Sequence, residues 1–349
     1  MTVPRPLFIV NPSTGRLGGA NALRRFVGAV ENVLGDVDIE ATQRSGHAID
    51  LARHGTLDGR DLIVAVGGDG TLNEVVNGVM TARGGGRQPA GPRVGLIGLG
   101  TGGDFGRSLG IGRDLDSYLA ALVSGHARAV DLVRTSFAGH EGEPIERYVI
   151  NVVSAGPGGL VDTYVARFPR ALGGRLAYAG ASLLALVECP RARLRLRWTA
   201  PAAPGSPERE SEPEPEPHEP PEALEPPDRV QTSELSAYLV ALCNGAAFGG
   251  GMRLAPMAEP DDGVLDLISI AVSSKVTVVR HLPEVYAGRH LEVPGVEHLR
   301  CRSLELELLD EEAAGRFALD VDGEALGRLP LRAEVVPGAI EMPVLAPVP

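Results

Sequence analysis

The chain has 349 residues, of which 44% are hydrophobic and 22% charged, and its formal net charge is −12. Such a length exceeds one ordinary domain and gives enough apolar material for two cores, while the acidic balance argues against nucleic acid as the main partner. The longest weakly polar run, 176–187, falls short of the roughly 20 residues a spanning helix needs, and no charged segment leads into an apolar one at the N-terminus, so a cytoplasmic protein is expected. Cys189, Cys243 and Cys301 are odd in number and far apart, which predicts reduced, buried thiols and no disulfide frame or structural zinc site.

Taken in order, the chain opens with a short apolar strand at 7–10 that runs into Asn11-Pro12-Ser13-Thr14-Gly15, a turn rich in hydroxyls. A helix pattern covers 20–34, a second strand 37–41 leads to Thr42, and Ser45 is a plausible N-cap for a helix from about 47. Five apolar residues at 62–66 read as a buried parallel strand that stops at Gly67-Gly68-Asp69-Gly70. Glycines there let backbone N–H groups approach an anion, and Thr71 with Glu74 predicts a capping box that opens a helix behind the loop. After a Gly/Arg-rich linker a fourth strand, 93–97, ends at a second glycine-rich loop, Gly100-Thr101-Gly102-Gly103-Asp104-Phe105. Strands alternating with helices imply a doubly wound, Rossmann-like parallel sheet over 1–129, with ligands held beyond the carboxyl ends of its strands.

From about Val130 the periodicity becomes two, with strands expected at 148–153, 235–243, 264–272, 303–309 and 316–321. This predicts a C-terminal antiparallel β-sandwich domain over 130–330, interrupted by a helical region at 160–188. The terminal strands near 331–340, within 331–349, are expected to be able to pack back on the first domain. Residues 201–230 carry nine acidic residues and two arginines, and ten prolines lie between 201 and 227, so this insert is read as disordered. Just before it, Arg191, Arg193, Arg195 and Arg197 alternate with Ala192, Leu194, Leu196 and Trp198. On a strand this puts the arginines on one face, which is either a solvated face or a contact for anionic lipid headgroups that the acidic insert would screen.

Together these motifs resemble the diacylglycerol kinase catalytic family, which includes sphingosine and ceramide kinases and soluble bacterial lipid kinases. The matching residues are Asn11 to Gly15, Gly67 to Thr71 with Asn73, Glu74, Asn77 and Gly78, and Gly100 to Phe105; later come Asn151, Asn244, Gly249 to Met252, Pro256, Asp262 to Asp266 and Asp322-Gly323-Glu324. They occur in the family's order across nearly the whole chain. Two positions depart from it: Thr14 stands where Ser is usual, and Gly103 where Asn is usual.

The resemblance implies a kinase that uses ATP and magnesium to phosphorylate a hydroxyl of diacylglycerol or a similar lipid. It implies that Asn11, Ser13, Thr14, Gly15, Thr42, Gly67, Gly68, Asp69, Gly70, Thr71, Asn73, Glu74 and Thr101 form the nucleotide side. Asp69 would also contact magnesium or orient the acceptor, and Glu324 would take the proton from the lipid hydroxyl with Asp322 near the magnesium. By the same likeness a second magnesium site would lie at Asp262 with the backbone carbonyls of Glu259 and Val264. The helical region with Tyr164, Phe168, Leu172, Leu176 and Tyr178 would border the acceptor cleft. The partners expected are therefore a lipid substrate and, peripherally, an anionic membrane surface; a homodimer is compatible with the sequence. Three other readings stay open at this point: a sphingoid-base or ceramide kinase, an NAD kinase, and a catalytically weak nucleotide-binding regulator.

Overall fold

In a computed structural model of the chain, the described residues are 5–14, 20–85, 91–99, 103–165, 181–182, 184–201 and 230–346. The first sheet joins β1 (Leu7–Val10), β2 (Asp38–Ala41), β3 (Leu62–Gly67) and β4 (Arg93–Gly98), all parallel, in the order β2-β1-β3-β4. β1 and β3 are buried along their whole length, which is why they read as unbroken apolar runs. Five helices accompany this sheet among the described residues: α1 (Ala20–Leu34), α2 (His47–Leu57), α3 (Asp69–Ala82), α4 (Asp104–Ser108) and α5 (Leu115–Val123). Leu23, Phe26, Val27 and Val30 of α1 face the core at helical spacing.

Two expected caps do not form. Ser45 does not cap α2; Gly46 precedes that helix at φ 77°, and the side chain that serves it is Glu74, which accepts from the Gly46 N–H at 2.8 Å and the Ala48 N–H at 3.1 Å. The Thr71/Glu74 capping box is likewise absent, because α3 already starts at Asp69 behind Gly68, so Thr71 sits inside its first turn. A carboxylate expected to cap its own helix caps the neighbouring one.

The second half is an 11-stranded sheet in the order β12-β11-β10-β7-β14-β15-β13-β8-β9, with β5 and then β6 branching from β15. Its strands are β5 (Ala127–Ala138), β6 (Pro144–Val149), β7 (Val152–Gly156), β8 (Ala192–Thr199), β9 (Val230–Ala237), β10 (Leu239–Cys243), β11 (Leu265–Ile270), β12 (Val296–Cys301), β13 (Ser303–Leu308), β14 (Ala318–Val321) and β15 (Glu324–Pro343). The sheet curls so that Val153, Leu194, Leu242, Leu267, Leu304 and Leu331, from six of these strands, share one core. The single strand expected at 148–153 is two, β6 and β7, because the N–H groups of Ile150, Asn151 and Val152 turn to the Asp322 carboxylate. The strand expected at 235–243 is likewise two, broken at Tyr238.

β15 carries the chain from one core to the other. Leu331, Ala333 and Val335 belong to the β core, while Ala339, Ile340 and Met342 lie in the core of the parallel sheet. Arg83 donates to the Ala339 carbonyl at 2.8 Å, and Ser124 Oγ to that of Val344 at 2.6 Å.

Shorter helices complete this half: α6 (Gly158–Val165), α7 (Lys275–Arg280) and α8 (Leu282–Ala287). Of the helical region expected at 160–188, α6 and residues 184–188 are helical, and Tyr164 is buried, its hydroxyl donating to Glu188 at 2.5 Å. Phe168, Leu172, Leu176, Tyr178 and the insert at 202–229 lie outside the described residues. On β8 the expected alternation holds, with Ala192, Leu194 and Leu196 buried. The arginines opposite them face carboxylates on adjacent strands: Arg195 reaches Glu234 at 2.9 Å and Glu307 at 3.4 Å, and Arg197 reaches Glu305 at 3.5 Å. That face is a cross-strand charge ladder.

Candidate active site

The carboxyl ends of the parallel strands meet at one place. The Asn11 N–H donates to the Val66 carbonyl at 2.9 Å and the Thr42 N–H to that of Val10 at 2.8 Å, so the turns after β1, β2 and β3 are held side by side. Asn11 then organises its own turn. Its Oδ1 accepts from the Ser13 N–H at 3.0 Å, its carbonyl from the Thr14 N–H and hydroxyl, and its Nδ2 donates to Thr71 Oγ1 at 3.3 Å. Gly67 is required by that arrangement, since a Cβ there would stand 2.4 Å from Thr71 Oγ1. Asn11, Ser13, Thr14, Thr42 and the 67–71 loop are thereby brought together; Gly15 and Thr101 lie outside the described residues.

Asp69 links this loop to the next one. Its Oδ2 accepts from the Asp104 N–H at 3.2 Å and its Oδ1 from the Phe105 N–H at 3.3 Å, at the start of α4. Burial holds the Asp69 carboxyl above the usual range; these N–H groups pull it down and the charge of Asp104 pushes it further up. The N–H groups of Gly103, Asp104 and Phe105 leave the carboxylate with accepting capacity among the described residues, and the residue is only half-buried. Gly103, which precedes α4, is left-handed at φ 64°, ψ 36°. Asparagine is among the few other residues that adopt this conformation readily, so Gly103 keeps the backbone of the family's usual Asn and lacks its amide.

Asp104 in turn reaches the β domain. Its side chain is 2% exposed, pairs with Arg107 at 2.7 Å, and accepts from the Gly250 N–H at 2.7 Å. A cavity of about 500 Å³ opens here between α4 and residues 246–253, lined by Arg107, Ser108, Ala246, Gly250, Gly251 and Arg253. Clefts at domain boundaries are where ligands usually bind. Asp104 is legible in the sequence only as part of a motif, and Arg253 has no role there; the bond from the Gly250 N–H to Asp104 and the meeting of Arg107 and Arg253 around one cavity have no signal in one chain's spacing.

The 322–324 turn separates two carboxylates. Asp322 is buried at φ 49° and accepts four N–H bonds, from Ile150 at 2.8 Å, Asn151 at 3.0 Å, Val152 at 2.9 Å and Asn73 Nδ2 at 2.6 Å. Burial pushes it up to about 6 even so. The expectation of a magnesium contact at Asp322 is therefore corrected, because both oxygens are already held by the protein. Asn73 is corrected with it: its amide joins α3 to Asp322 and to the Tyr148 carbonyl, and Asn77 exchanges bonds with the Tyr148 backbone in the same way. Glu74, engaged with α2, is also removed from the nucleotide set. Glu324, by contrast, extends into the cleft. A Cβ placed on Gly70 would stand 3.4 Å from Glu324 Oε1, so this carboxylate from the β domain lies over the glycine loop of the other.

The second magnesium site fares differently from the first. Glu259, Asp262 and Val264 do share one loop, which Asp131 secures by accepting from the Gly263 and Gly338 N–H groups at 2.7 Å each. Yet Asp262 Oδ2 is paired with Arg300, and its Oδ1 accepts from the Val264 N–H at 3.2 Å. A guanidinium stands where a cation would have to bind, so these residues do not fit magnesium. Among the described residues no cluster of three His, Cys, Asp or Glu side chains is arranged to hold a metal. Asp69, at the glycine loop, is the carboxylate that fits a magnesium ion carried by a nucleotide.

Comparison with known proteins accords with this geometry. The profile described as "Diacylglycerol kinase catalytic domain" matches residues 5–135, and that described as "YegS C-terminal NAD kinase beta sandwich-like domain" matches residues 151–344. The chain belongs to the diacylglycerol kinase catalytic family. It is 26% identical over 326 residues to a diacylglycerol kinase of Staphylococcus saprophyticus, covering 93% of this chain and 90% of the relative. A diacylglycerol kinase of Staphylococcus aureus is 27% identical over 326 residues, with 93% and 88% covered. The crystal structure of a diacylglycerol kinase from Bacillus anthracis shares the fold, with a TM-score of 0.63 at 19% identity over 97% of this chain and 96% of the other. Among the described residues no helix is long and apolar enough to cross a membrane.

Proposed function

We propose that the protein transfers the γ-phosphate of ATP to a hydroxyl of diacylglycerol or a closely similar lipid, giving phosphatidic acid or its analogue. The observation that carries this reading is the approach of Glu324 to Gly70, which brings a carboxylate of one domain to the glycine loop of the other. In this reading Asn11, Ser13, Thr14, Thr42 and the 67–71 loop hold the nucleotide, joined by Gly15 and Thr101, and the N-terminus of α3 faces its phosphates. The lipid hydroxyl oxygen attacks the γ-phosphorus as its proton passes to Glu324. The bond from the γ-phosphorus to the β–γ bridging oxygen breaks, and ADP leaves with that electron pair. Magnesium bound with the nucleotide would neutralise phosphate charge, with Asp69 as its protein contact. The acceptor resides in a bilayer, so the protein works at a lipid surface. Other members of the family justify keeping a sphingoid base in the assay.

The test is transfer of labelled γ-phosphate from Mg-ATP into a mixed lipid extract in detergent micelles, with Glu324→Ala run beside the native protein. A labelled product that migrates as phosphatidic acid and requires Glu324 supports the proposal. Label in NAD or in a sphingoid phosphate instead would replace the acceptor, and ATP binding with no labelled product would replace the activity.

A further inference from the structure

Outside the cleft, exposed apolar side chains are concentrated in one corner. Ten large hydrophobic residues are exposed among those described, and six of them, Val187, Met257, Val276, Val279, Leu282 and Tyr286, belong to α7, α8 and the two segments that adjoin them. The joins are direct: Lys275 Nζ donates to the Val187 carbonyl, the Arg253 N–H donates to the Val285 carbonyl at 3.1 Å, and a Cβ on Gly288 would meet Pro256 at 3.2 Å. On these helices Val278 and Val285 already face a core. The outward face is therefore apolar as well, with Val276 76% and Tyr286 49% exposed, where a surface helix ordinarily presents polar groups.

We propose that the outward face of α7 and α8 docks the protein on an anionic lipid bilayer. Charge selects this occupant. Lys275, Arg280 and Arg289 border the valines, Glu284 is the single carboxylate between residues 275 and 289, and none of these cations takes part in an ion pair among the described residues. The β8 arginines, by contrast, have carboxylates opposite them. A two-fold contact between copies of the chain would bring the same cations toward one another, whereas a bilayer offers acyl chains to the valines and phosphates to the cations. The position suits the task, since Arg253, bonded through its N–H to α8, also lines the inter-domain cavity. This inference rests on the lipid-kinase reading for its purpose, though not for its test.

The test is co-sedimentation of the full chain with phosphatidylcholine vesicles with and without phosphatidylglycerol, at low and high salt. The native protein is expected to pellet with the anionic vesicles and to be released by salt. The double variant Val276→Asp, Val279→Asp should lose about tenfold or more of that binding. Its melting curve, and its rate on lipid dispersed in detergent micelles, should be unchanged, because both side chains are exposed and neither belongs to the candidate site. Vesicle binding equal to the native level would overturn the proposal. So would a native dimer that the double variant makes monomeric. A native protein that labels no lipid in micelles would sink the kinase reading instead and leave the vesicle result standing.

Discussion

The two sides of the 322–324 turn use the same functional group for opposite ends. On the buried side Asp322 is surrounded by N–H donors from α3, β7 and the residues before it, and it fixes how the two domains meet. On the cleft side Glu324, two residues further on, is half-exposed and lies over Gly70. A buried carboxylate enclosed by four N–H donors has no oxygen that a substrate hydroxyl can reach. Glu324, half-exposed beside Gly70, is the one that the proposed reaction uses. On the proposed mechanism, chemistry and architecture are divided between neighbours, and each can be removed separately.

The sharpest separation is Glu324→Gln, expected to lower kcat by about 10²–10⁴-fold with an unchanged melting curve. Loss of stability in that variant would show that the division is not real. Asp322→Ala should do the reverse. Four buried donors lose their acceptor, at about 1–3 kcal/mol for each one left unsatisfied, so denaturant unfolding should report a loss of about 3 kcal/mol or more. Nucleotide binding by whatever fraction stays folded should persist.

The Asp322 carboxyl also gives a pH signature. Its value in the fold, about 6, lies above the ordinary 3.8, so folding takes up a proton between the two. The stability this group contributes is fully present below the lower value and is lost as pH rises through the upper one. Native protein should therefore show a downward slope of unfolding free energy with pH in that window, relative to Asp322→Asn. Equal slopes would mean that the four N–H bonds outweigh burial.

A smaller effect is expected at Gly103. Gly103→Asn should fold normally, since the backbone is one asparagine tolerates and, among the described residues, a Cβ there meets only the Tyr118 hydroxyl, at 3.7 Å. If the restored amide touches substrate or nucleotide, kcat/KM should rise about two- to tenfold, the worth of one neutral hydrogen bond. Gly103→Ala, with no side-chain bond to offer, should cost about 1 kcal/mol of stability and gain nothing.

The smallest concerns the 259–264 loop. Without nucleotide, EDTA should leave the melting temperature unchanged, and Arg300→Ala should lower stability by no more than about 1 kcal/mol, because the pair with Asp262 is partly solvated. A rise in melting temperature on adding magnesium to the nucleotide-free protein would restore the loop as a metal site.

Much of this was set by the sequence alone. β1, α1 and β4 fall within a residue of their expected bounds, because a strand buried on both faces and a helix with one apolar stripe announce themselves by local period. The motifs after β1 and β3 were legible for the same reason: glycines at a strand end restrict where the chain can go. The alternation on β8 was legible too, but not that glutamates of β9 and β13 would meet its arginines. What only the tertiary structure decided is which partner each polar side chain takes. Glu74 left its own helix for α2, Asn73 and Asp322 closed on each other from positions 249 residues apart, and Arg300 took the carboxylate expected to bind magnesium. A hydrogen bond or ion pair acts over about 3 Å of space and carries no information about separation along the chain. Local pattern therefore fixed the elements and marked the loops, and the packing of one domain against the other determined which of their charges remained available for chemistry.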